Sequence, residues 1–453
     1  MKHLLILLSL FLFSFIYISC SKSSDDGSKS TDNTTTTDNK TTSPWTKQLG
    51  TTSRDYGIGV TTDSSDNIYV TGYTDGGLDG NTNLGSNDII LVKYNSSGTK
   101  QWTKQLGTSS SEEGYGVTTD SSGNIYVTGY TLGDLDGNTN SGSRDIILVK
   151  YTSSGTKQWT KQLGSSSYDE GYSVTTDSSD NIYVTGYTGG GLDGNTNLGS
   201  NDIILVKYNS SGTKQWTKQL GTSSGDYGNN VTTDSSGNIY VTGYTGGRLD
   251  GNTSSGNHDI VLVKYNSSGT KQWTKQLGTS SYDYGNDVTT DSSGNVYVTG
   301  YTGGGLDGNT NLGKEDIILV KYNSSGTKQW TRQLGTSSGD YGYGVTIDSS
   351  DNIYVTGSTL GNLDGNTNIN LGVIVTFSWG NSDIFLVKYD SSGTKQWTKQ
   401  LGTSSSELGE GVTTDSSGNI YVTGNTLGNL DGNTNSGDED IFLVKYDLSG
   451  TKQ

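Results

Sequence analysis

The chain ends in "DLSGTKQ", residues 447–453, and this stretch indicates how the whole sequence folds. Six earlier copies of TKQ are each followed directly by tryptophan, at Trp102, Trp159, Trp216, Trp273, Trp330 and Trp397. The last copy lacks that segment, whereas "WTKQLG" stands alone at residues 45–50. Counted from Trp45, the tryptophans divide the sequence into seven similar units: 45–101, 102–158, 159–215, 216–272, 273–329, 330–396 and 397–453.

Each unit contains four candidate strands, which in the first unit are "WTKQLG" (45–50), "GVTTD" (59–63), "NIYVTGY" (67–73) and "DIILVKY" (88–94). Turn residues such as Gly, Asn, Asp and Ser separate these short apolar runs, as is typical of antiparallel strands. A hydrophobic content of 29% and a net charge of -17 would by themselves favour a disordered chain. The regular spacing of turn residues between short apolar runs, together with the absence of alanine, favours an all-β protein instead.

Strands such as "IILV" are apolar on both faces, so each sheet must be covered by a neighbour on both sides. An open stack would need polar end units, but the first and last units are as apolar as the others. A closed ring needs none. The sequence therefore predicts a seven-bladed β-propeller with four-stranded antiparallel blades, closed by pairing of the N-terminal strand 45–50 with "DIFLVKY" (440–446).

The units resemble the bacterial seven-bladed β-propeller (SBBP) repeat. The segments that carry the resemblance are "DSSGNIYVTG" (120–129), "DIILVKY" (145–151) and "WTKQLG" (159–164), and it extends over residues 45–453. The resemblance implies the propeller fold. For activity it implies little, because members are mostly exported or surface proteins whose binding roles are unassigned.

Residues 1–19 have the basic start and apolar run of a secretory signal peptide, and they end directly before Cys20. "YISC" resembles a bacterial lipobox, which implies acylation of Cys20 and attachment to a membrane; an ordinary signal peptide with a chance cysteine is the alternative. Residues 20–44 are polar and aperiodic, as in a disordered tether. We expect a lipid-anchored protein of the bacterial cell envelope, at the outer membrane or on the cell surface. The acidic composition argues against nucleic-acid binding.

Differences between the units are concentrated in the loops that enter the innermost strands. The equivalent positions are Ile58, Tyr115, Tyr172, Asn229, Asn286, Tyr343 and Glu410. We predict that Tyr115, Tyr172, Asn229, Asn286, Tyr343 and Glu410 form a rim around the channel mouth, where they could bind sugars or peptides. Sequence drift at a tolerant loop is the alternative.

Two further segments are candidate sites. In "LDGNTNLGSND" (78–88), alternating oxygen-bearing residues could hold calcium through Asp79, Asn81, Asn83 and Asp88, or could simply form Asx-turns. The sixth unit carries an apolar insertion within residues 368–383, in which Ile374, Phe377 and Trp379 are a predicted partner contact, although a hairpin packed on its own blade is the alternative.

The sequence provides no recognisable catalytic constellation. His258 is the one histidine after the signal peptide, and beside Asp259 we expect it to be solvated. The predicted function is non-catalytic: a monomeric binding or adhesion scaffold for a protein or polysaccharide, with no certain cofactor and calcium as the candidate. A polysaccharide hydrolase or lyase at the channel mouth, and a purely structural envelope protein, are the alternatives.

Overall fold

A computed structural model describes residues 45–368 and 381–453, which form seven four-stranded antiparallel sheets. The innermost strands are β2 (Asp55–Thr62), β6 (Glu112–Thr119), β10 (Asp169–Thr176), β14 (Asp226–Thr233), β18 (Asp283–Thr290), β22 (Asp340–Ile347) and β26 (Glu407–Thr414). The second strands are β3 (Ile68–Thr74), β7 (Ile125–Thr131), β11 (Ile182–Thr188), β15 (Ile239–Thr245), β19 (Val296–Thr302), β23 (Ile353–Thr359) and β27 (Ile420–Thr426).

The third strands are β4 (Asp88–Tyr94), β8 (Asp145–Tyr151), β12 (Asp202–Tyr208), β16 (Asp259–Tyr265), β20 (Asp316–Tyr322), β24 (Asp383–Tyr389) and β28 (Asp440–Tyr446). The outermost strands are β1 (Lys47–Leu49), β5 (Lys100–Leu106), β9 (Lys157–Leu163), β13 (Lys214–Leu220), β17 (Lys271–Leu277), β21 (Lys328–Leu334) and β25 (Lys395–Leu401). Blades 1 to 6 run in order from β2–β5 to β22–β25, and blade 7 combines β26–β28 with β1.

The predicted ring closure is confirmed. β1 pairs antiparallel with β28, with Lys47 opposite Leu443 and Leu49 opposite Ile441. The backbone N–H of Trp45 donates to the carbonyl of Gln453, so the two ends of the repeat region are hydrogen-bonded. The hydrophobic cluster around Ile68 and Val70 of blade 1 includes Tyr421 and Ile441 of blade 7. Blade 7 is therefore joined to blade 1 both by its sheet and by its core.

Each of the seven cores lies between two blades rather than within one. In one of them, Ile146 and Leu148 of blade 2 pack against Ile182 and Val184 of blade 3, and Trp159 lies against the same cluster. Every residue of β4 from Asp88 to Val92 is buried, because both faces of that strand are covered. This confirms the physical reason for the ring: strands that are apolar on both faces are sandwiched.

Short turns complete the blades. Asp63 closes the turn after β2, because its Oδ1 accepts from the backbone N–H of Ser65 at 2.9 Å and of Asn67 at 3.0 Å. In the part of the chain that the structure describes, six one-turn 3₁₀ helices precede third strands, at Leu78–Gly80, Leu135–Gly137, Leu249–Gly251, Leu306–Gly308, Leu363–Gly365 and Leu430–Gly432. Across residues 45–368 and 381–453, no helix has the length and hydrophobicity required to span a bilayer.

A belt of threonine hydroxyls links neighbouring innermost strands. Thr119 Oγ1 donates to the carbonyl of Thr62 at 3.1 Å, and the same bond recurs at Thr62, Thr176, Thr233, Thr290 and Thr414. In blade 6 the equivalent residue is Ile347, which has no hydroxyl to donate to Thr290. At that same junction Asn286 Nδ2 donates to the carbonyl of Gly342 at 2.8 Å and Asp287 Oδ2 accepts from the N–H of Val345 at 2.7 Å.

Candidate functional site

The variable position of each unit is the extra residue of a β-bulge. In blade 1 the register passes from Gly57 opposite Gly72 to Gly59 opposite Thr71, so that Ile58 has no partner in β3. The bulge residues of the seven blades are Ile58, Tyr115, Tyr172, Asn229, Asn286, Tyr343 and Glu410. A bulge changes the direction of a side chain. All seven residues line one cavity of about 460 Å³ at the centre of the ring.

The bulge depends on glycine because the backbones approach closely there. A Cβ atom on Gly72 would lie 1.7 Å from the carbonyl oxygen of Tyr56, which is shorter than any tolerable contact. The candidate strand at residues 59–63 was predicted to begin at Gly59, whereas the innermost strand of the structure begins at Asp55. The bulge lets the strand continue through Ile58 towards the cavity, and sequence alternation alone gave no sign of it.

Several cavity side chains hold the ring together. Asn229 Nδ2 donates to the carbonyl of Gly285 at 2.9 Å, as Asn286 does to Gly342. Tyr115 donates its hydroxyl to Glu113 Oε2 at 2.7 Å. Asp287, one residue after a bulge, also accepts from the N–H of Val288 at 2.8 Å. These side chains are therefore engaged in contacts within or between blades before any ligand arrives.

Glu410 differs from the other cavity side chains. Its carboxylate lines the cavity and receives no hydrogen bond or ion pair from the described residues. Burial raises the pKa of Glu410 to about 7, and no neighbouring donor or cation opposes that effect. The carboxylate of Glu410 is half-buried and has no partner among the described residues, so it is available for a new interaction.

Tyrosine rings surround the cavity from blade 2 to blade 6. We call this set the tyrosine arc; it comprises Tyr115, Tyr130, Tyr172, Tyr187, Tyr227, Tyr244, Tyr284, Tyr301, Tyr341 and Tyr343. Successive centroids are separated by 4.6 Å at the closest pair, Tyr244 and Tyr284, and by 6.4 Å at the widest, Tyr341 and Tyr343. Blade 7 has Leu408, Glu410 and Asn425 at the equivalent positions, so Glu410 lies where the arc is interrupted. The sequence analysis identified three members of the arc and missed the rest.

Polar pairs across the blade junctions extend this face outwards. Asn87 donates to Glu113 at 2.8 Å, Arg144 forms an ion pair with Glu170, and Glu315 accepts from Tyr341 at 2.8 Å. At the same position of unit 4 is His258, whose Nδ1 lies 2.7 Å from the hydroxyl of Tyr284. The prediction of a solvated His258 is wrong: tyrosine rings surround this half-buried side chain, and burial lowers its pKa.

A pair of buried carboxyl groups lies at each junction. In blades 5 and 6 these are Asp316 and Asp340, both fully buried. Asp340 accepts from the N–H of Thr336 at 2.6 Å, and burial, with a contribution from Asp316, raises its pKa to about 6. At the junction of blades 6 and 7, burial raises the pKa of Glu407 to about 7. Such pairs stabilise the fold best when at least one member is protonated.

The predicted calcium ligands have partners within the fold. Asp79 binds Lys100 and Thr103 of β5, and Asn81 Nδ2 donates to the carbonyl of Leu78 at 2.7 Å. Asn83 Nδ2 donates to the carbonyl of Asp75 at 2.8 Å, and Asp88 Oδ2 accepts from Gln105 at 3.0 Å. In the described part of the chain, no three His, Cys, Asp or Glu side chains are grouped so as to hold a metal ion. These contacts order the loop, and the calcium site stays a prediction.

Two other predicted sites fall outside the described residues. The lipid attachment at Cys20 precedes residue 45, and Ile374, Phe377 and Trp379 of the predicted partner contact lie between residues 368 and 381. Both stay predictions.

Fold and repeats together define a class of protein: a seven-bladed propeller whose blades surround one asymmetric cavity. The model of the beta-propeller repeat, SBBP, matches seven times, at residues 45–79, 101–136, 158–193, 215–250, 272–307, 329–364 and 396–431. The protein belongs to this family.

The chain is similar to several known proteins and solved structures at low sequence identity. The uncharacterized WD repeat-containing protein L264 of Acanthamoeba polyphaga mimivirus is 26% identical over 77% of this chain, and the regulatory protein FlaEY of Caulobacter vibrioides is 25% identical over 44%. The matched regions span 33% and 23% of those proteins, respectively. The crystal structure of the polysaccharide lyase Uly1 aligns with a TM-score of 0.49 and 11% identity, covering 86% of this chain and 90% of that one.

Proposed function

We propose that this protein is a non-catalytic binding module of the bacterial cell envelope, anchored through Cys20, that holds a polysaccharide or protein ligand at the central cavity and the surrounding face. One observation carries the proposal: seven otherwise near-identical units differ at their bulge residues, and those residues converge on one cavity. A structural ring would need no such differences. An asymmetric lining in a symmetric scaffold is what selective binding requires.

The lining favours a polysaccharide over a protein surface. Four tyrosines, Tyr115, Tyr172, Tyr244 and Tyr343, line the cavity together with amide and carboxyl groups. Aromatic faces pack on the apolar faces of sugar rings, while amide and carboxyl groups bind hydroxyls. A cavity of about 460 Å³ accommodates a short stretch of saccharide but not a folded protein.

The proposal is tested by presenting the purified protein to arrays of bacterial and host polysaccharides and of matrix proteins. The informative variant is Tyr172→Ala, since it removes a ring from the cavity wall without removing a charge. The control is Trp216→Phe, a conservative change on an outermost strand. We expect the wild type and the control to retain a polysaccharide and Tyr172→Ala to lose it. Equal retention by all three proteins would contradict a site at the cavity.

A second candidate function is cleavage of a polysaccharide at the same place. The observation that favours it is the pKa of Glu410, which burial raises to about 7, because a carboxyl group protonated near neutral pH can act as a general acid. Incubation of the retained polysaccharide with the protein, followed by measurement of new reducing ends, separates the two functions. Turnover that is abolished by Glu410→Gln would replace binding with catalysis.

A further inference from the structure

The charged side chains that line the central cavity are all acidic. Among the described residues that line it, Glu410 and Asp287 carry acidic side chains and none is Lys, Arg or His. The two carboxyl groups differ in their surroundings, because Asp287 accepts from the backbone N–H of Val345 at 2.7 Å and of Val288 at 2.8 Å. Glu410 accepts nothing from the described residues. A carboxyl group held at a protein wall without a partner is costly, and a positively charged ligand would remove that cost.

The surroundings of Glu410 suit an organic cation better than a metal ion. Hard cations such as calcium take six to eight oxygen ligands, and the described residues hold no cluster of acidic side chains that approaches such a set. Tyr343 occupies the bulge of the adjacent blade, and the charge of Glu410 acts on its hydroxyl. Tyr115 and Tyr172 continue the aromatic lining beyond Ile58. A carboxylate next to an aromatic ring, as Glu410 is next to Tyr343, can bind an ammonium group through an ion pair and a cation–π contact.

We propose that the central cavity binds a protonated amine carried by an amino-sugar unit of a polysaccharide, with Glu410 as its counter-ion and the ring of Tyr343 in the adjacent blade as its aromatic neighbour, while Tyr115 and Tyr172 line the cavity farther round the ring. The inference rests on the proposed polysaccharide-binding function and specifies its ligand. The amides of Asn229 and Asn230, on the opposite side of the ring, provide polar contacts for the sugar hydroxyls.

The experiment compares two trisaccharides with the same β-1,4-linked backbone, one of glucosamine and one of N-acetylglucosamine, by calorimetry on the purified full-length protein. Only the first carries ammonium groups. The wild type should bind the glucosamine trimer at least about tenfold more tightly than the acetylated trimer. Glu410→Gln keeps the shape of the side chain and should abolish that preference. Asp287→Asn, which removes the same unit of charge from the same cavity, should preserve most of it, because Asp287 is already engaged.

A melting curve would show whether Glu410→Gln folds. If it does not, a gain-of-function variant still tests the proposal. Ile58 is the bulge residue of the blade next to Glu410 across the ring closure. Ile58→Glu places a second carboxylate there and should tighten binding of the glucosamine trimer by about threefold or more at low salt. Unchanged or weaker binding would count against an ammonium site at this position.

The outcomes separate this inference from the proposed function. Equal binding of both trimers, unaffected by Glu410→Gln, would overturn the ammonium site while leaving polysaccharide binding in place. Binding of neither trimer, with Glu410-dependent binding of spermidine or of a lysine-rich peptide, would support the ammonium site and overturn the amino-sugar source. Failure of all four probes to bind would overturn the inference.

Discussion

The closure of the ring provides the sharpest test of the fold, because the repeats supply a matched control. Gln48 of β1 makes three hydrogen bonds within blade 7: Nε2 donates to the carbonyl of Gly428 at 3.0 Å and to Asp440 at 3.1 Å, and Oε1 accepts from the N–H of Leu430 at 3.1 Å. Gln105 of β5 makes the same three bonds, at 2.9, 3.0 and 3.1 Å, within blade 1. The two side chains differ only in how their strands are held.

At about 1 kcal/mol per hydrogen bond, Gln48→Ala and Gln105→Ala should each lower the free energy of unfolding by about 3 kcal/mol. Their local effects should differ. β1 pairs with β28 at three register positions, whereas β5 pairs with β4 at six and follows it through a tight turn. Detachment of β1 alone is therefore the easier opening, and Gln48→Ala should accelerate it by roughly a hundredfold.

Native-state hydrogen exchange measures that opening. The amides of β28 should exchange faster in Gln48→Ala than in the wild type by about two orders of magnitude, whereas the amides of β4 should change far less in Gln105→Ala. Urea unfolding of both variants checks that the global losses are equal. Equal acceleration in β28 and β4 would refute the view that the closing strand is the weakest attachment of the ring.

Three further changes test other features. Thr233→Val removes one hydroxyl of the threonine belt at nearly constant shape, and urea unfolding should show a loss of about 1 kcal/mol; an unchanged midpoint would mean that the belt does not stabilise the ring. Gly72→Ala places a methyl group on the carbonyl of Tyr56 and should cost more than about 2 kcal/mol in the same assay, unless the bulge relaxes. Burial raises the pKa of Asp340 to about 6 and of Glu407 to about 7, so the folded state favours their protonated forms. Their contribution to stability therefore declines as pH rises from about 4 to 7. The melting temperature should be higher near pH 5 than near pH 8, and Glu407→Gln should reduce that difference.

The architecture could be predicted because the same pattern of four strands recurs in seven units of the sequence. Strands such as "DIILVKY" are apolar on both faces, which predicts sheets covered on both sides. The unpaired "WTKQLG" segment at residues 45–50 predicts the closing strand from the sequence alone. Comparison of the units also identified the positions that line the cavity. The physical cause, a bulge at Ile58 and its equivalents, was not predictable, because a glycine within a strand, such as Gly57, looks like any other interruption of alternation.

The contacts between strands that lie far apart in sequence could not be predicted from one unit. Asp88 was interpreted as a calcium ligand because its own loop is rich in oxygen atoms, yet its carboxylate binds Gln105 of β5. His258 was expected to be solvated, but the tyrosine that binds it comes from the next innermost strand. In both cases the two contacting residues are too far apart in sequence for the hydrophobic pattern of one unit to predict that they meet.

The junction pairs have a consequence for how such a repetitive chain assembles correctly. Blades that are almost identical could dock beside the wrong neighbour, and recombination between their coding segments could reorder them. Several boundaries have different combinations of side chains: Arg144 meets Glu170 at one, and His258 meets Tyr284 at another. A blade docked beside the wrong neighbour would lose the ion pair of Arg144 with Glu170 or the hydrogen bond between His258 and Tyr284. These polar differences between junctions therefore favour the native neighbours over wrong ones during assembly.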